Sequence, residues 1–138
     1  MRKLQTLQNK CLRILTGCEY RTPTKILLQK TRKLSVHQQV AYLLLSQVYS
    51  INHNKSPTYH YRRLFLKDNN NNPPDTRTQD TYSINRVDYK LSLCRTHFFY
   101  QSSRLWSSLP IDIRSSRNQS IFKKKCKAWV TARIMQKL

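Results

Sequence analysis

The chain has 138 residues, which bounds it to one domain or two small subdomains. Its apolar content of 38% lies below the usual range of about 45–50%, so a modest core of marginal stability is expected. Lys and Arg number 26 against six acids, a formal charge of +20, which repels itself in the compact state and favours a polyanionic partner, most often nucleic acid.

Taken in chain order, residues 3–16 place Leu4, Leu7, Cys11, Leu12, Ile14 and Leu15 on a single helical face. Cys11 is expected to pack there as a small hydrophobe. Gly17, the only glycine, falls where a helix takes a left-handed C-cap. Thr22 then reads as an N-cap and Pro23 as the first residue of a short second helix with Ile26, Leu27 and Leu28 as its core face. Ser35 and Gln38 fit a capping box for a third helix bearing Val36, Val40, Leu43, Leu44, Val48 and Ile51. The run Ala41–Leu45 is apolar almost all round and marks this as the most buried helix. Ser56-Pro57 redirects the chain, and Tyr59, Tyr61, Leu64 and Phe65 suit one or two helical turns.

Residues 67–81 carry four consecutive Asn and then Pro73-Pro74, a composition that builds no packed core. Residues 82–93 alternate loosely and suggest a short extended segment. Thr96 is placed to cap a helix with Phe98, Phe99, Ser102, Leu105 and Trp106 on its inner side, closed by Leu109-Pro110. Ser120 is placed to cap a last helix whose face is Ile121, Phe122, Cys126, Trp129, Val130 and Ile134. The fold class read from this pattern is mainly α: a small bundle of about five helices in two portions, 1–66 and 82–138, joined by a disordered Asn/Pro-rich linker at 67–81.

Catalytic chemistry finds little purchase. Nucleotidyl transfer needs carboxylates that hold two metal ions about 4 Å apart. The acids are Glu19, Asp68, Asp75, Asp80, Asp88 and Asp112, scattered along the chain, and no F/Y-x-D-D turn occurs. Cys11, Cys18, Cys94 and Cys126 form no C-x-x-C and no standard zinc spacing, so all four are expected as free thiols in a reducing, intracellular compartment, nuclear or cytoplasmic. His37, His53, His60 and His97 suggest no catalytic grouping, and one glycine cannot make a phosphate-cradling loop. No cofactor, metal or small-molecule substrate is expected. No stretch approaches the ~20 apolar residues of a membrane span, and residues 1–17 lack a secretory apolar run. Because the first eighteen residues hold no acid, a mitochondrial presequence is the alternative for that segment.

The positive signal is basic and aromatic. Lys123, Lys124, Lys125 and Lys127 open the last helix, where the positive end of the dipole disfavours cations but suits phosphate. Lys3, Lys10 and Arg13, with Arg32, Lys33, Arg62 and Arg63, form a second candidate surface for RNA or DNA backbone. Tyr59, Tyr61 and Tyr82 have two readings, stacking on bases or packing in the core. Trp106 and Trp129 read as core anchors.

Several of these stretches occur in a recognisable order. Leu7-Gln8-Asn9-Lys10-Cys11-Leu12-Arg13-Ile14-Leu15-Thr16-Gly17 comes first, followed by Thr22-Pro23 and Leu34-Ser35-Val36. Arg95 and Phe98-Phe99-Tyr100 precede Leu105-Trp106-Ser107-Ser108-Leu109-Pro110, and Ile113-Arg114 and Phe122-Lys123 close the series. In this order the chain resembles the segment after the palm in reverse transcriptases of non-LTR (LINE-type, jockey-like) retrotransposons. Ser107 stands where that family has Asn, and His37-Gln38-Gln39 where it is commonly Arg-rich. The resemblance implies a thumb-like first portion, with fingers, palm and an apurinic-type endonuclease upstream in an intact parent. It implies a role in gripping template RNA and primer DNA by their phosphates, with the remainder of a reverse transcriptase as a further partner. The alternatives are a structural or interaction fragment, a relic of a truncated element, or a basic mitochondrial or ribosome-associated protein.

Overall fold

The computed structural model describes residues 2–66, 84–85 and 97–135, with side chains as far as residue 132. Among these residues there are seven helices and no strand. They are α1 (Arg2–Thr16), α2 (Thr24–Thr31), α3 (Val36–Asn54), α4 (Thr58–Phe65), α5 (Phe98–Ser107), α6 (Ile111–Arg114) and α7 (Gln119–Met135). The chain is thus mainly helical, as its periodicity reads. The short α4 forms the one or two helical turns read over residues 59–65, and the single turn α6 is a helix beyond that reading. The linker at 67–81 and the extended segment at 82–93 lie outside the described residues, except Ile84 and Asn85, which belong to no helix or strand.

The helix ends show which local signals act. Gly17 takes φ 61° directly after α1, the left-handed conformation that glycine adopts without steric cost. With no other glycine available, Arg32 at the C-cap of α2 and Lys55 after α3 adopt φ 52° themselves, at a strain of order 1–2 kcal/mol each. Arg32 still closes its helix, its N–H donating to the Gln29 carbonyl at 3.2 Å while Lys33 N–H reaches Leu28 O at 3.2 Å.

The Ser35–Gln38 capping box forms. Ser35 N–H donates to Gln38 Oε1 at 2.8 Å, and Gln38 N–H donates to Ser35 Oγ at 3.3 Å. Both residues are buried, so water cannot readily replace these bonds. Ser35→Ala is expected to cost about 1 kcal/mol of stability in urea denaturation. An unchanged midpoint would show that the box does not hold this end of α3.

Three other caps differ from expectation. Thr22 does not cap α2; Pro23 occupies the N-cap and no side chain bonds there. The N-cap of α5 is His97, with no side-chain cap bond, and Thr96 lies outside the described residues. Ser120 is not the cap of α7 but its second residue, since the helix starts at Gln119. At the end of α4, Asn85 supplies a tie that periodicity does not reveal. Its Nδ2 donates to Leu66 O at 2.6 Å and Arg63 O at 3.3 Å, and its backbone N–H to Leu64 O at 2.6 Å. These bonds satisfy carbonyls that a helix terminus leaves open.

Two compact units emerge, Met1–Ala41 with Val130–Leu138, and Tyr42–Trp129. In the first, α1 is held by polar side chains around one buried leucine, Leu12. Gln8 Nε2 donates to Leu34 O at 2.8 Å, Gln5 Oε1 accepts from Val36 N–H at 2.9 Å, and Asn9 Nδ2 donates to Thr24 Oγ1 at 2.9 Å. The expected apolar face turns elsewhere. Leu4 and Leu7 are 59% and 58% exposed, Ile14 and Leu15 82% and 78%, and Cys11 is exposed rather than packed.

The second unit holds the larger core. Trp106 is fully buried, with its ring 6.0 Å from Phe122 and 6.3 Å, edge-on, from Phe65. Tyr49 stacks on Phe122 at 4.2 Å and donates its hydroxyl to Ser116 O at 2.8 Å. Leu45, Val48, Ile51, Leu64, Phe99, Leu109, Ile113 and Cys126 complete the buried set. Ser102 and Ser103 are buried on α5 without cost to their hydroxyls, which bond back to Phe98 O and Tyr100 O. Trp106 is the anchor its position suggests, whereas Trp129 is only half-buried. The run Ala41–Leu45 buries Leu45 but leaves Leu43 mostly open.

Candidate nucleic-acid interface

On α7, Phe122 and Cys126 stand one turn apart and are both fully buried. That inward pair fixes the opposite side of the helix toward solvent, and Lys123, Lys124, Lys125 and Lys127 are all exposed. Lys125 lies at the flank of this side, its Nζ donating to Asp112 O at 3.3 Å. The helix start shifts one inference. Since α7 begins at Gln119, Lys123 is its fifth residue, and the dipole effect falls off within the first turn. The lysines therefore incur little penalty from the dipole, and their attraction for phosphate comes from their own charge.

The remaining basic residues divide between the units. Lys3 and Lys10 are exposed on α1, and Arg32 and Lys33 are exposed just beyond α2. Arg13, expected at the same surface, is half-buried and engaged locally. It donates from Nη2 to Thr22 O at 3.3 Å and lies 5.2 Å over the exposed Tyr20 ring. Its Nε is buried without a hydrogen-bond partner. Arg13 thus braces the loop after α1 and offers only part of its guanidinium to a ligand.

Arg62 and Arg63 are exposed on α4, in the second unit. Arg63 donates from Nη1 to Tyr59 Oη at 2.9 Å and sits 4.8 Å over the Phe99 ring. Around Phe99, among the described residues, gather the rings of His60 at 5.3 Å, Phe98 at 5.4 Å and edge-on, His97 at 5.5 Å and nearly parallel, and Tyr59 at 6.1 Å, edge-on. Phe99 is buried, His60 is half-buried with an unpartnered Nδ1, and Tyr59 and His97 are exposed. Of the tyrosines considered for stacking, Tyr61 is half-buried and packs against Phe65 at 5.6 Å, and Tyr82 lies outside the described residues. The grouping of Tyr59 and His60 with His97 and Phe99 escapes sequence reasoning because the two pairs lie more than thirty residues apart, with only the shared aromatic character as a signal.

The thiols have distinct environments. Cys11, Cys18 and Cys126 are free, and Cys94 lies outside the described residues. Burial pushes the Cys126 thiol up to about 11, the behaviour of an inert packing residue. Cys18 is held below its ordinary value chiefly by a hydrogen bond with Thr16; partial burial opposes this, and Lys30, with Nζ 3.6 Å from the sulfur, adds to the lowering. Among the described residues, no three of His, Cys, Asp or Glu come together in a metal-holding group, and no helix is long and apolar enough to cross a membrane.

No family model, curated protein or solved structure matches the chain. The weight of a functional reading therefore rests on the charge, the exposed basic residues and the motif order.

Proposed function

We propose that the chain is a non-catalytic nucleic-acid-binding fragment derived from a non-LTR retrotransposon reverse transcriptase, holding template and primer phosphates without reading sequence. The observation that carries the reading is the exposed run Lys123-Lys124-Lys125 on α7, set in a chain of formal charge +20. Side chains of this kind neutralise phosphates as point charges, and release of condensed counterions supplies the affinity. Sequence readout needs side chains fitted to base edges in a groove, whereas lysine runs contact backbone. The order of motifs from Leu7 to Lys123 supports the descent from such a polymerase, and the scattered acids support the absence of catalysis.

Affinity for a labelled RNA–DNA hybrid, measured across a salt series with heparin as competitor, tests the proposal. A steep fall with salt, about 0.9 in logarithmic slope per phosphate on a B-like duplex, is expected. Hybrid should be bound better than heparin. Equal binding of the two would reduce the interface to a charged surface and sink the template–primer role.

A second reading has its own observation. The open row of Leu4, Leu7, Cys11, Ile14 and Leu15 on α1 suits an interaction fragment that docks on the remainder of a polymerase or another subunit. The basic mitochondrial or ribosome-associated alternative rests on charge alone.

A further inference from the structure

From the ring cluster around Phe99, we infer that Tyr59, His97 and Arg63 form a stacking site for an unpaired base of single-stranded RNA or DNA. This rests on the proposed nucleic-acid function and adds a ligand class that lysines cannot select.

The cluster separates into a core and a rim. Phe99 is buried and holds the group together, as any core ring would. Tyr59 is 61% exposed, and His97 is exposed at the N-cap of α5, where its side chain makes no cap bond. Neither ring is placed to maximise burial. Tyr59 is nevertheless fixed: its hydroxyl accepts from Arg63, and its ring meets His60 at 5.7 Å and Phe99 at 6.1 Å, both edge-on. A ring that is both exposed and held has already lost its rotamer freedom, so it can receive a second flat group at little further entropic cost.

The chemistry beside it suits nucleic acid. Arg63 lies over Phe99, tied to Tyr59, and Arg62 is its exposed neighbour, so cations stand where the phosphates of a stacked nucleotide would run. A paired base has its faces covered by its neighbours in the duplex. Only an unpaired base can offer a face to Tyr59 or His97. The selectivity expected is for single strands over duplex, with tolerance of sequence, because every base has such a face.

The test compares the full chain with Tyr59→Ala and Tyr59→Phe on a single-stranded RNA 20-mer and on an RNA–DNA hybrid of equal phosphate number. Tyr59→Ala should weaken single-strand binding roughly tenfold, the scale of one lost stacking contact, and leave hybrid binding unchanged. Tyr59→Phe, which keeps the ring and loses only the tie to Arg63, should match the parent chain on both ligands. Parent-like single-strand binding by Tyr59→Ala overturns the stacking site while leaving the phosphate-holding function standing. Equal losses on both ligands, or a Tyr59→Phe as weak as Tyr59→Ala, also overturn it, since the ring would then act through the fold or through Arg63. If the parent chain binds neither ligand, the proposed function itself fails.

Discussion

Replacing Trp106 with alanine is expected to destabilise the chain by about 3–5 kcal/mol, the largest effect of any single substitution considered. The indole is fully buried and meets Phe65 of α4 and Phe122 of α7, so its loss empties a space that rings from two other helices border. Those rings cannot collapse into the gap together. Phe122 is already stacked at 4.2 Å on Tyr49, whose hydroxyl is tied to Ser116. A domain of this size has roughly 5–15 kcal/mol of stability in all, so the variant should lose a large share of it. Urea denaturation followed by circular dichroism would show the midpoint fall, with Trp129 left as a fluorescent probe. Trp106→Phe, which retains most of the ring, should fall much less. A Trp106→Ala midpoint close to the parent's would mean that the three helices are not joined through this residue.

The elements of the fold were legible where the signal is local. The Ser35–Gln38 box needs only two residues three apart, and it forms as read; Gly17 needs only its own φ. The periodicity of residues 3–16 found the helix but could not orient it. Beside the buried Leu12, the side chains that dock α1 are Gln5, Gln8 and Asn9, polar groups bonded to partners beyond the helix, while Leu4, Leu7, Ile14 and Leu15 face outward. An apolar stripe shows that a helix has two kinds of face, and hydrogen bonds to distant backbone decide which one packs. The same limit governs the site. Lys123 to Lys125 could be placed on the surface because Phe122 and Cys126 occupy the inward positions of the same helix. Arg13 could not be distinguished from a free cation, because its partners Thr22 and Tyr20 lie across a loop whose path the sequence does not specify. Tyr59 and His97 both meet Phe99, and the approach of Tyr59 to that ring is a tertiary contact with no local signature.

Changing Lys123, Lys124 and Lys125 together to glutamine is expected to weaken binding to RNA and DNA alike, with little effect on stability. The two effects separate because the lysines are exposed and carry no core contact; surface substitutions of this kind usually stay within about 0.5 kcal/mol. Lys125 gives up its bond to Asp112 O, on an exposed part of α6. Each lost phosphate contact removes about 0.9 from the logarithmic salt slope, so three contacts would flatten it by roughly 2.7 and lower affinity near 0.1 M salt by two to three powers of ten. Tyr59→Ala should leave the salt slope unchanged while weakening single-strand binding, since stacking releases few counterions. Those two outcomes together would separate the proposed roles, α7 for charge and the Phe99 cluster for bases. Unchanged affinity in the triple variant would remove α7 from the contact surface and leave the exposed cations of α1, Arg32, Lys33 and α4 as the places where phosphate could be held.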